Sequence, residues 1–184
     1  NVSRGFPGSH SVKLMHQKLL NWKINGELNV PVYDKSLRSG LGDRSHWRFD
    51  NPDLLILEGW FLGIEPFSID DMDQCINKQE LSSDECSYRL KIQKNLNEYL
   101  DIWNLIDKLW HLKPLSFEYM NMWKTYQEKE MFLQKGNALQ DEKLFNFLRM
   151  LNVSIPHKSF DLINAYALFL LDKERNLVEA GLNF

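Results

Sequence analysis

The chain has 184 residues, enough for one domain with a substantial core. Hydrophobic residues make up 43% and charged residues 26%, an ordinary balance for a soluble globular protein. The net charge of −3 leaves no electrostatic footprint for nucleic acid, and no apolar run approaches the length of a membrane span.

In chain order, residues 1–10 carry neither an initiator methionine nor a signal-peptide core, and the chain opens as though cut from something longer. Arg4 to Ser11, RGFPGSHS, is turn-rich, with Ser9 or Ser11 placed to cap a following helix. Val12, Met15, Leu19 and Trp22 recur at helical spacing and predict an amphipathic helix over 12–24, ended by Asn25-Gly26. Val30 to Asp34 is a short extended piece that Pro31 confines to an edge or a strand start. Residues 34–48 form a polar loop holding Lys35, Arg38, Arg44 and Arg48 among Asp34 and Asp43. It reads equally well as a solvated surface loop and as an anion site built on arginine forks.

Residues 51–63, NPDLLILEGWFLG, are the centre of the pattern. Leu54 to Leu57 are apolar without alternation and bounded by Pro52-Asp53 and Glu58-Gly59, which predicts a strand buried on both faces of a parallel sheet. Glu58 would stand at its carboxyl end, where open α/β sheets gather their chemistry. A carboxylate there can hold magnesium directly or through water, or polarise a hydroxyl nucleophile.

Residues 66–85 are polar and acidic; Asp70, Asp71 and Asp73 lack the spacing of a calcium loop and read as a solvated helix start. A long amphipathic helix is predicted over about 86–105 from the steps of Tyr88, Ile92, Leu96, Tyr99, Trp103 and Ile106. Leu109 to Leu112 reads as a second buried strand, with His111 a hydrogen-bonded core histidine. Helices follow over 116–134 and 140–151, a helical stretch over 157–163, and a last apolar strand over 165–171 before a turn at 173–176. Strands and helices alternate as in a three-layer α/β domain. Cys75 and Cys86, the only cysteines, form neither a metal spacing nor a disulfide framework, so an intracellular, reducing compartment is expected.

Three motifs at these spacings carry a resemblance: Arg4 to His10 (RGFPGSH), Val30 to Arg44 (VPVYDKSLRSGLGDR) and Leu54 to Pro66 (LLILEGWFLGIEP). Together they resemble the glycerate kinase branch of the P-loop kinases, which includes plant D-glycerate 3-kinase and is related to pantothenate kinase, uridine kinase and phosphoribulokinase. Asn95-Leu96 with Tyr99 and Trp103, then Trp123-Lys124 with Gln127-Glu128, continue the likeness. The resemblance implies a three-layer α/β/α P-loop kinase fold with a mainly parallel sheet, and phosphoryl transfer from ATP with Mg2+ to a small hydroxyl substrate, D-glycerate or a similar compound. It makes Glu58 the acidic residue of the Walker-B-type strand, catalytic and magnesium-organising. His10, Tyr33, Asp34, Lys35, Arg38 and Arg44 fall at substrate-side positions, and Lys124 at a lid position. The family has arginine where Lys124 stands and again where Phe132 stands, and aspartate where Ser11 stands. Its phosphate-binding loop, G-x-x-x-x-G-K-S/T, lies upstream of the first motif and has no counterpart here. Residues 1–184 are therefore expected to be the C-terminal portion of a single P-loop kinase domain, in the cytoplasm or, after removal of a transit peptide, in an organelle stroma or matrix. The partners implied are ATP and a small metabolite, with no nucleic acid or membrane. A kinase of another metabolite, or a non-catalytic binding or regulatory protein on the same scaffold, would fit the same motifs.

Overall fold

A computed structural model of the protein describes residues 2–67, 81–136 and 138–182. The chain is a mixed α/β protein that divides into two compact units, Asn1–Leu62 with Glu98–Ile106, and Gly63–Asn97 with Asp107–Phe184. The acidic run at Asp70, Asp71 and Asp73 lies outside the described residues.

The first unit begins with the turn and helix α1, Val12–Asn25. Its predicted stop is observed: Gly26 adopts a left-handed φ of 74° and donates its N–H to the Trp22 carbonyl, a cap that glycine makes without a Cβ penalty. Neither predicted serine caps the start. Ser11 makes no side-chain cap, and the Ser9 hydroxyl instead accepts the Gly5 N–H at 3.0 Å. Strands β1, Leu28–Asp34, and β2, Asp43–Asp50, form an antiparallel hairpin with Leu28 opposite Asp50 and Asp34 opposite Asp43. The register slips between Pro31 and Tyr33, where proline offers no N–H to the ladder. The predicted 34–48 loop is thus only a tip; its second half is β2. Trp47 and Phe49 alternate with charged neighbours, a period-two signal masked by the density of arginines.

Residues 51–58 correct a larger expectation. No strand is assigned there. Leu54 and Ile56 are 74% and 81% exposed, while Leu55 and Leu57 are half-buried. A strand is defined by its ladder, and no described residue pairs with this segment, so one side of it faces solvent. It is held at its start, where the Trp22 indole N–H donates to the Pro52 carbonyl at 2.8 Å. The core of this unit is aromatic. Phe6, Phe61, Tyr99 and Ile102 are almost wholly buried. Edge-to-face pairs link Phe6 to Trp60 at 5.5 Å and Phe61 to Tyr99 at 5.2 Å between ring centroids, the orientation that the ring quadrupoles favour.

In the second unit the predicted long helix is two pieces. Helix α2, Ser83–Leu96, gives way to a 3-10 turn at Asn97–Tyr99; the short α3, Leu100–Trp103, then lies in the first unit. The Asn97 side-chain amide donates to the carbonyls of Gln93 and Lys94, 3.2 and 3.3 Å away, competing for groups a continuing helix would use. Strand β3, Trp110–Pro114, pairs in parallel with β4, Ala167–Leu171, and β4 pairs antiparallel with β5, Leu177–Leu182. Between β3 and β4 run α4, Glu118–Lys135, α5, Asp141–Ser154, and α6, His157–Asp161, close to the predicted spans. Two details differ. Trp110 and Leu112 are 64% and 66% exposed, so β3 is not a buried strand, and β5 was not anticipated. His111 is half-buried, and burial lowers its pKa. Ile64, Ile92, Leu96 and Ile155 are fully buried in this unit's core. No helix among the described residues is long and apolar enough to cross a membrane.

Glu85 ties α2 to α5. It closes a capping box with Ser82 and accepts two hydrogen bonds from Arg149, at 2.6 and 2.9 Å. The Arg149 hydrogen bond and the Ser82 amide together hold its carboxyl down at about 2. A depressed pKa contributes stability that is fully present above the unfolded value, near 4.5, and is lost as pH falls through about 2. Glu85→Gln is therefore expected to lower stability by about 1 kcal/mol at neutral pH. The gap in melting temperature between wild type and variant should close as pH is lowered from about 5 to about 2. A gap that does not change with pH would mean that the charge contributes nothing.

Candidate functional site

The turn at the start of the first unit uses its own amides. Phe6 N–H donates to the Ser3 carbonyl, Ser9 N–H to the Phe6 carbonyl, Gly5 N–H to the Ser9 hydroxyl and Gly8 N–H to the Tyr99 hydroxyl, all between 3.0 and 3.2 Å. Phe6 and Pro7 are buried beneath it, and the Trp60 indole N–H donates to the Gly5 carbonyl at 2.7 Å. Two glycines and a proline thus make a locked turn whose amides are already engaged, not an open cradle for an anion.

From this turn Arg4 reaches the tip of the β1–β2 hairpin. Its guanidinium donates to the carbonyls of Gly40 and Leu41, both at 3.2 Å, bridging 36 and 37 residues of sequence. The Tyr33 hydroxyl donates to the same Leu41 carbonyl at 3.0 Å. Arg38, Ser39, Gly40 and Gly42 all hold positive φ, from 53° to 87°, a tightly wound tip in which two non-glycine residues sit in the disfavoured left-handed region. Asp34 accepts the Ser36 hydroxyl at 2.6 Å and its N–H at 2.8 Å. Those bonds, the hydroxyl's first, lower its pKa. Arg38 pairs with Asp43 at 3.6 Å, and Arg44 donates to the Ser11 hydroxyl. Lys35 is exposed in the tip.

His10 is exposed as a residue, but its ring packs against Phe61 and Tyr99. Its Nδ1 lies 2.9 Å from the Tyr99 hydroxyl, and desolvation lowers its pKa. Glu58 is also exposed, with no hydrogen bond or ion pair to it among the described residues. It stands two residues before Trp60, which anchors this segment to the turn.

Six of the predicted side chains thus belong to two connected pieces, the turn with His10 and the hairpin with Tyr33, Asp34, Lys35, Arg38 and Arg44. The connectors, Arg4 and Tyr99, are not among the predicted site residues. Arg4 heads the first motif, yet its role depends on contacts distant in sequence. Lys124 lies in the second unit, on α4, in a different setting. Its ammonium is 2.5 Å from Glu128 and 3.1 Å from Gln127. Glu128 is 3% exposed and also accepts the Leu139 N–H at 2.8 Å. The predicted lid cation is therefore held by a buried carboxylate one helical turn away. Among the described residues no cluster of three or more histidines, cysteines or acids could hold a metal.

No family model matches the chain. Individual proteins do. The chain is 30% identical over 158 residues to the uncharacterized kinase mug58 of Schizosaccharomyces pombe, covering 79% of this chain and 55% of that protein. It is 30% identical over 155 residues to the chloroplastic D-glycerate 3-kinase of Arabidopsis thaliana, covering 79% of this chain and 32% of that protein. The solved structure of D-glycerate 3-kinase from Cryptococcus neoformans matches 98% of this chain and 69% of its own, with a TM-score of 0.85 at 26% identity. The chain's homologues are kinases, and it fits the glycerate kinase branch of the P-loop kinases. It spans about half or less of the length of the two curated relatives. The turn and hairpin tip are the first two motifs of the resemblance, and Glu58 lies in the third.

Proposed function

We propose that this chain carries the acceptor side of an ATP-dependent kinase that phosphorylates a small hydroxy acid, D-glycerate or a close analogue. The carrying observation is the hairpin tip, which holds Lys35 and Arg38, adjoins Arg44 in β2 and is bound to the preceding turn through Arg4. A carboxylate-bearing acceptor suits such a tip, since guanidinium and ammonium groups recognise carboxylates by charge-assisted hydrogen bonds. His10, Tyr33 and Asp34 orient the acceptor. Orientation and charge neutralisation are most of what a kinase protein supplies.

The engaged amides of the Arg4–His10 turn do not suit the β- and γ-phosphates of ATP. We assign that task to a phosphate-binding loop preceding residue 1, with residues 1–184 the C-terminal portion of one three-layer P-loop domain. Glu58 fits magnesium: a single exposed carboxylate serves an ion that keeps several waters and takes its other ligands from phosphate. When bound, the ion would neutralise charge on the transferring group; Glu58 would hold it directly or through water. A non-catalytic reading has its own support, because Lys124 is sequestered by Glu128 and the second lid position is Phe132.

The deciding experiment is a magnesium-ATP-dependent assay of the complete protein with D-glycerate and other small hydroxy acids, read as phosphorylated product. Phosphorylation of none of them would favour the non-catalytic reading. If the tip binds the acceptor, Lys35→Gln should raise the acceptor KM about tenfold, as for the loss of one charge-assisted hydrogen bond, and leave the KM for ATP unchanged. No change in either constant would make the tip a solvated loop.

A further inference from the structure

We propose that Tyr99 is a positioning residue that fixes the His10 ring as its Nε2–H tautomer, so that His10 presents a neutral hydrogen-bond donor to the acceptor molecule. This rests on the reading above only in naming what the donor meets; the tautomer follows from counting protons.

The Tyr99 hydroxyl has one proton to give. The Gly8 N–H donates to its oxygen at 3.1 Å, so that contact uses a lone pair and leaves the proton free. The His10 backbone N–H, like that of Gly8, can only donate to this oxygen, so the partner left to take the proton is His10 Nδ1, at 2.9 Å. If Nδ1 carried the ring proton it would also donate to Tyr99, and the phenolic proton would need another acceptor. Tyr99 is 1% exposed, and among the described residues no other group accepts it. An O–H left without an acceptor in that position would carry the full penalty of a buried unsatisfied donor. The arrangement that satisfies every group has Tyr99 donating to Nδ1, which places the ring proton on Nε2.

The surroundings support this assignment. Burial raises the Tyr99 pKa against the pull of the Gly8 and His10 backbone N–H groups, so the phenol keeps its proton. Desolvation lowers that of His10, which favours the neutral ring. Phe61 and Tyr99 fix the ring plane, with centroids 6.0 and 6.1 Å from that of the imidazole. Nδ1 is tied to Tyr99, and Nε2 makes no hydrogen bond among the described residues, in a side chain of an exposed residue. A ring held in one tautomer and one orientation is a donor of defined direction, as suits an oxygen of a hydroxy acid.

The test uses the complete protein labelled with 15N in its histidine rings. The His10 resonance is assigned by its loss in His10→Gln. Wild type should show the Nε2–H pattern for His10, and addition of D-glycerate should shift the Nε2 resonance. Tyr99→Phe removes the donor to Nδ1 and should give mixed tautomers. The acceptor KM should rise about fivefold to tenfold with kcat changed less than about twofold. His10→Gln, whose amide nitrogen can stand where Nε2 does, should keep more affinity for the acceptor than His10→Asn, whose nitrogen stands where Nδ1 does. An Nδ1–H pattern in wild type would overturn the proposal. So would an unchanged acceptor KM in Tyr99→Phe with a lowered melting point, which would make the contact purely structural. If no hydroxy acid is phosphorylated, the kinase reading fails by itself, and the ring spectra of wild type and Tyr99→Phe still decide the tautomer.

Discussion

Glu58→Gln in the complete protein is expected to lower kcat by about a hundredfold or more while barely moving the melting temperature. The two halves of this expectation have different causes. The catalytic half follows from charge: glutamine keeps the shape of the side chain but gives neither an anionic ligand for magnesium nor a base for a hydroxyl proton. Losing a positioned acid–base group typically costs 10²–10⁴-fold. The stability half follows from exposure. Glu58 is exposed and takes no hydrogen bond or ion pair among the described residues, and surface substitutions of that kind usually change stability by less than about 0.5 kcal/mol. Steady-state kinetics beside a thermal melt separate the two. Wild-type kcat in the variant would remove Glu58 from the chemistry, whereas a large drop in melting temperature would make it a structural residue.

Helices α1 and α4 were legible because each declares itself locally, whereas the break after Leu96 in the predicted 86–105 helix was not. The step of Val12, Met15, Leu19 and Trp22 and the glycine after Asn25 lie within one stretch of chain, and so do both ends of α4. The strands were less legible, because a strand is completed by a partner elsewhere. Leu54 to Leu57 have the composition of a buried strand, yet no described residue supplies their ladder, and Leu54 and Ile56 face solvent. Strand β2 was hidden by its arginines. Strand β5, exposed at every position, has no buried face to impose a pattern.

The site divides along the same line. Tyr33, Asp34, Arg38 and Arg44 come from one motif and share one hairpin. Arg4 and Tyr99 act across 36 to 91 residues of chain, and no spacing rule reaches that far. Lys124 shows the converse. Its position matched a motif, but the buried carboxylate of Glu128, four residues on, decides what its charge does first.

Gly42→Ala is expected to damage the proposed acceptor site out of proportion to the single methyl it adds. Gly42 has a φ of +82°, and a Cβ built there would lie 2.2 Å from the Tyr33 hydroxyl oxygen and 2.5 Å from the ring carbon bearing it. Alanine in the left-handed region costs roughly 1–2 kcal/mol by itself. The clash adds a second effect, because the Tyr33 ring must swing away and lose its hydrogen bond to the Leu41 carbonyl. Gly40 supplies the control. It has a φ of +87°, but its added Cβ would meet nothing within 4 Å. Both variants should therefore lose stability to the same backbone strain, while only Gly42→Ala should raise the acceptor KM, by about tenfold or more, with the KM for ATP unchanged. If Gly40→Ala raises the acceptor KM equally, backbone strain in the tip is the cause and Tyr33 has no part in binding. If neither variant changes it, the acceptor does not contact this hairpin. A selective loss in Gly42→Ala would mean that the tip must hold Tyr33 in place, with Arg4 and Tyr33 both donating to the same Leu41 carbonyl.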